Sequence, residues 1–176
     1  MTAGTEDEKF FIAAAAELED YLNSPVLFWP IRSESQPLTL GNLLLAQAKA
    51  DAFYPTVPPA GVANANTILQ QARQDHPAAW REKAAGDFHA RVNQINTLLE
   101  EVNKGGINVI LRGRAILALL VREVSDSPEF QGSLAVLDQH LRKVVEPGEF
   151  IWSAELISAF PSDVYWFLYV KLRKQV

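Results

Sequence analysis

The chain has 176 residues, 48% of them hydrophobic, and a net charge of −5 from 16 lysines and arginines against 21 aspartates and glutamates. That length suits a single domain, 1–176, and the apolar fraction supports a core and excludes a disordered chain. The absence of cysteine excludes disulfides, cysteine-based zinc sites and thiol catalysis, and the acidic balance disfavours nucleic acid as a partner without a local basic patch.

The first residues, Met1 to Lys9, carry Glu6, Asp7 and Glu8 where a signal peptide would be basic and then apolar. Thr5 and Glu8 have the spacing of a capping box. Phe10, Phe11, Ala14, Leu18, Tyr21 and Leu22 then share one face of a first helix. Three prolines between Asn23 and Pro37 predict a non-helical segment over about 23–38. Within it, Pro25 and Pro30 bracket an extended strap whose Phe28 and Trp29 are expected to plug the core. Thr39 is placed to cap a second helix ending near Phe53, and the prolines after Tyr54 predict a second break over about 54–62.

A helix near Ala63 to Gln74 is expected to end before Pro77, which is tolerated in the first turn of the next. That next helix, about Ala78 to Asn103, has Trp80, Ala84, Phe88, Ile95 and Leu98 on one arc and Glu82, His89, Asn93 and Glu100 on the other. Gly105-Gly106 stops it. Residues Ile107 to Val124 are apolar over most of their circumference, the pattern of a helix surrounded by others. Ser127-Pro128 opens a further helix to about Val145, and Trp152 to Phe160 and Pro161 to Arg173 read as a final helical pair. No period-2 alternation is flanked by hairpin turns. The expected fold is therefore all-α: an irregular bundle of six or seven helices around a central helix at about 107–124, with essentially no sheet. The apolar run Ala115 to Val121, which no other exceeds, is far below the roughly 20 residues that cross a bilayer, so no membrane partner is expected.

Chemistry has few places to hide. His76, His89 and His140 lack any partner at helical metal-ligand spacing, so no metal and no cofactor are expected. Neither a nucleophile elbow nor a phosphate loop is present, which leans against an enzyme. Arg91 falls inside the apolar arc of its helix, with Asp87 one turn earlier as its local partner. Arg112, Arg114 and Arg122 lie on the less apolar side of the central helix. These four arginines have two readings: ion pairs with Asp87, Asp138 or Glu123, or a pocket for a small anionic ligand between the 78–103 and 107–124 helices. The ion-pair reading is favoured, because buried arginines usually meet protein acids.

Seven aromatic residues lie between Phe150 and Tyr169. Tyr165, Trp166, Phe167 and Tyr169 project in nearly every direction if helical, which predicts either a covered core element or an association surface. The leading functional expectation is a non-enzymatic, soluble, cytoplasmic interaction module that meets a protein partner or a second copy through these aromatics. A small-molecule binder or enzyme built on Arg91 is the alternative.

Overall fold

The structure, a computed structural model, describes residues 3–124 and 127–174, with side chains from residue 6 onward. Seven α-helices are found among them: α1 (Ala3–Ala16), α2 (Leu18–Asn23), α3 (Leu40–Phe53), α4 (Ala60–Asp75), α5 (Pro77–Glu100), α6 (Ile107–Leu120) and α7 (Pro128–Val144). Two three-residue strands, β1 (Val145–Pro147) and β2 (Val170–Leu172), complete an otherwise all-α bundle.

Helix α1 already includes residue 5, so Thr5 lies in its first turn and not at a cap. The expected face is buried as read: Phe10, Phe11, Ala14, Leu18, Tyr21 and Leu22 all enter the core, although Glu17 interrupts the helix between α1 and α2. Thr39 caps α3 by accepting the Asn42 amide at 3.1 Å. Pro77 begins α5, where its missing N–H costs nothing. Gly105 and Gly106 turn the chain into α6 with φ of 122° and 88°, backbone angles that strain any residue with a side chain.

The central helix packs against α1's neighbour α3, against α5 and against the C-terminal turns. Its Ile110, Leu111, Ala115, Ile116, Leu117 and Leu120 are buried. It ends at Leu120, short of the expected Val124. The turn that follows carries Glu123 to the Trp80 indole N–H at 2.8 Å and to the Arg73 guanidinium at 2.9 Å.

The strap between Pro25 and Pro30 is non-helical as expected but bends at Pro25, Leu27 and Phe28 where an extended course was expected, and it is held at several points. The Trp29 and Leu38 backbones exchange hydrogen bonds at 3.0 and 2.7 Å. Lys83, buried on α5, donates to the Ser24 carbonyl at 2.8 Å and to the Val26 carbonyl, while the Tyr21 hydroxyl donates to Leu27 at 3.1 Å. Burial lowers the Lys83 pKa, and burial followed by the Asp87 charge raises that of Tyr21, so the phenol stays a donor. Phe28 is not a plug as expected; it is 56% exposed, and only Trp29 turns inward, donating its indole N–H to Glu17 at 2.5 Å. Replacing Lys83 with Met leaves two carbonyls without their donor. It should cost roughly 1–3 kcal/mol and speed hydrogen exchange at the Trp29 and Leu38 amides. Unchanged protection there would mean that the ammonium does not hold the strap.

The C-terminal helical pair is the main departure from expectation. Residues 151–169 form a series of short turns, with single 3-10 turns at Ala154–Leu156 and Trp166–Leu168. Strands β1 and β2 pair antiparallel, Val145 with Leu172, Glu146 with Lys171 and Pro147 with Val170. An all-round apolar segment has no solvent face to specify a helix. Here its aromatics pack on one another: Trp152 on Phe160, Phe160 on Tyr165 and Phe150 on Tyr169, with ring centroids 4.9–5.0 Å apart. Pro161 lacks the N–H that a continuing helix would use.

Candidate functional site

The four arginines singled out from the sequence are separated by the fold. Arg91 forms an ion pair with Asp87, its Nε 2.8 Å from Oδ1 without hydrogen-bond alignment. Asp87, fully buried, also accepts the Gly41 amide at 2.6 Å, which fixes the start of α3 against α5. Arg91 Nη2 goes on to the Thr39 hydroxyl at 2.9 Å and the Asn42 side-chain carbonyl at 3.1 Å. Arg112 reaches the same Asn42 oxygen at 3.3 Å and the Gln36 oxygen at 2.9 Å. Burial first, and the neighbouring Arg91 charge second, lower the Arg112 pKa, against the pull of Asp7 and Asp87. Arg91 and Arg112 are thus brought together, on neutral amides and one acid.

Arg114 lies apart from them in a two-point pair with Asp138, at 2.7 and 2.9 Å, beneath the Phe167 ring. Arg122 approaches the Tyr165 hydroxyl at 3.4 Å. It lines a small polar cleft of about 250 Å³ in which Arg73 is matched by Glu123 and Asp51 is also present.

The four C-terminal aromatics divide in two. Tyr165 and Phe167 are 4% and 0% exposed and belong to the core of the single chain. Trp166 and Tyr169 are half-buried and line an open cleft of about 470 Å³. Its apolar floor is Val145, Pro147 and Val170, residues of the two strands, and its walls include Arg142 and Arg173.

Each wall has a local cause. The last turn of α7 carries Arg142, a position that favours a cation through the helix dipole. Its guanidinium lies 3.6 Å from the Trp166 ring centroid and holds the indole by stacking. Arg173 follows β2 and ties it down: its amide donates to Val144 at 2.9 Å, its Nε to Val145 at 2.7 Å and its Nη2 to Arg142 at 3.2 Å, all backbone carbonyls. Tyr169 donates its hydroxyl to the Phe160 carbonyl at 2.8 Å. Among the described residues, neither Arg142 nor Arg173 has an acidic partner; Glu146, also in the cleft wall, pairs with Lys171 at 3.3 Å.

Chemically, the cleft offers an aromatic plate, an apolar floor and guanidinium donors. Ser162 also lines it, with no histidine in the wall and with its one carboxylate, Glu146, paired to Lys171. Nothing in the sequence around Arg142 marks it, and Arg173 enters only as the end of the expected last helix, with Tyr169 four residues before it.

Comparison with protein-family models, with curated proteins and with solved structures finds no match to this chain.

Proposed function

We propose that the chain is a non-enzymatic interaction module that seats a segment of a protein partner in the Trp166 cleft. The observation that carries this reading is a partly exposed indole with the Arg142 guanidinium 3.6 Å from its ring centroid, beside an apolar floor. An aromatic fixed before binding loses little entropy when a partner packs on it, which is how few residues come to dominate an interface. No cysteine is present to oxidise, and a cytoplasmic setting is the one in which we would seek the partner.

The alternative, a small anionic ligand between α5 and α6, rests on Arg112, since Arg122, also without an acid, lies apart in the cleft beside Glu123. Arg91 and Arg114 already have Asp87 and Asp138, and an anion would have to displace those acids.

A peptide library displayed on phage tests the proposal. Clones selected on the intact chain should lose binding to Trp166→Ala. Selection that yields no clones, or only clones indifferent to that substitution, would overturn it. Native mass spectrometry identifies one particular partner: a dimer that Trp166→Arg converts to folded monomer means the partner is a second copy, and a monomer throughout means another protein.

A further inference from the structure

The same cleft also carries a chemical preference, a step that rests on the reading above. We infer that the partner segment is acidic, with a side-chain carboxylate bound between Arg142 and Arg173 and an apolar neighbour packed on Trp166.

Charge is the first argument. In a chain of net charge −5, these two arginines share one cleft without an acidic partner among the described residues. Four cations elsewhere are matched, Arg73 by Glu123, Arg91 by Asp87, Arg114 by Asp138 and Lys49 by Asp7, while Arg112, Arg122 and Lys83 meet neutral acceptors singly and in separate places. The one acid in the cleft wall, Glu146, is engaged by Lys171.

Geometry is the second. The Arg142 guanidinium carbon lies 3.6 Å from the Trp166 ring centroid, and a guanidinium stacked on a ring keeps its N–H edge available to an acceptor in its plane. Arg173 spends Nε and one Nη2 contact on carbonyls, which fixes the group while its Nη1 has no partner among the described residues. A carboxylate matches such a fork with two parallel hydrogen bonds, roughly twice as strong as neutral ones. The acidic remainder of the molecule acts against a long polyanion such as a nucleic acid, because every phosphate beyond the cleft meets net repulsion. A short acidic peptide escapes that penalty.

The test uses the full chain and two fluorescein-labelled peptides, one of alternating Glu and Leu, the other with Gln in place of each Glu. Fluorescence anisotropy should show the Gln peptide binding about tenfold more weakly. The difference should shrink in Arg142→Gln and in Arg173→Gln, and the Glu peptide should weaken as salt is raised. Arg142 lies on an exposed helix end and its substitution spares the fold; Arg173 ties β2, so its variant is first checked by near-ultraviolet circular dichroism.

Equal binding of the two peptides, or a preference that persists in Arg142→Gln, would overturn the acidic assignment. So would an oligothymidylate that displaces the Glu peptide. Displayed peptides that need Trp166 but contain no acid would do the same while leaving the interaction module standing. Loss of all Trp166-dependent binding would remove both.

Discussion

Asp87→Ala should lower the unfolding free energy by about 3–5 kcal/mol, one of the largest effects a single substitution can have here. The carboxylate is fully buried and serves two elements at once, the Arg91 guanidinium on its own helix and the Gly41 amide at the start of α3. Its removal leaves a charge at Arg91 with only the Thr39 hydroxyl and Asn42 amide as partners, and a buried N–H with none. For a chain of this length the loss corresponds to a fall in Tm on the order of 10 °C. Gly41 shows how tightly the junction is packed: a Cβ there would stand 2.6 Å from Asp87 and 3.0 Å from Arg91. Urea unfolding measures the effect. The double variant Asp87→Leu/Arg91→Met should recover part of the loss, since it removes the stranded charge. A midpoint equal to that of the unaltered chain for Asp87→Ala would mean the pair does not hold α3 to α5.

Phe167→Ala should cost about as much, roughly 3–5 kcal/mol, the usual range for emptying a buried aromatic site. The ring is fully buried, 5.9 Å from Tyr165 and 5.7 Å from Trp166 between centroids, and it covers the Arg114 guanidinium at 4.5 Å. Arg114 Nη1 is already buried without a hydrogen-bond partner, so the stacking it would lose is not easily replaced. Trp166→Ala, one residue away and only partly buried, should cost less, about 1–2 kcal/mol, from its packing on Phe167 and on Arg142. Thermal denaturation of the two variants side by side checks the contrast. Similar losses would mean that Trp166 belongs to the core as much as Phe167 does, and the surface role assigned to it would fail.

Local signals in the sequence translated well into structure. Thr39, Pro77 and Gly105-Gly106 each act within a few residues, and each marks the boundary its chemistry implies. The Asp87–Arg91 pair was legible for the same reason, because residues four apart face each other on a helix. Gly41 was not, since its contact with Asp87 joins positions 46 residues apart. The C-terminal segment misled because aromatics on every side fit a helix surrounded by others as well as a set of turns. Val170-Lys171-Leu172 alternates as a strand should, yet three residues are too few to stand out. The cleft suffers from distance as well: Arg142 and Arg173 meet only because β1 and β2 pair, and nothing near either residue announces the other.

The pairing of Val145 with Leu172 closes residues 148–169 into a loop whose two ends are fastened side by side. The loop's rings pack on one another, yet Phe160, Phe167 and Leu168 are also buried in the common core, so loop and helices hold each other in place. Trp166 and Tyr169 come from inside the loop, Arg142 from the helix before it and Arg173 from the tail after it. The cleft therefore exists only while the fastening is shut. Whatever binds there stabilises the shut form, and its apparent affinity scales with the fraction of molecules in that form. A change in β1 or β2 would then alter recognition and global stability together, because the same pairing shapes the cleft and fastens core residues.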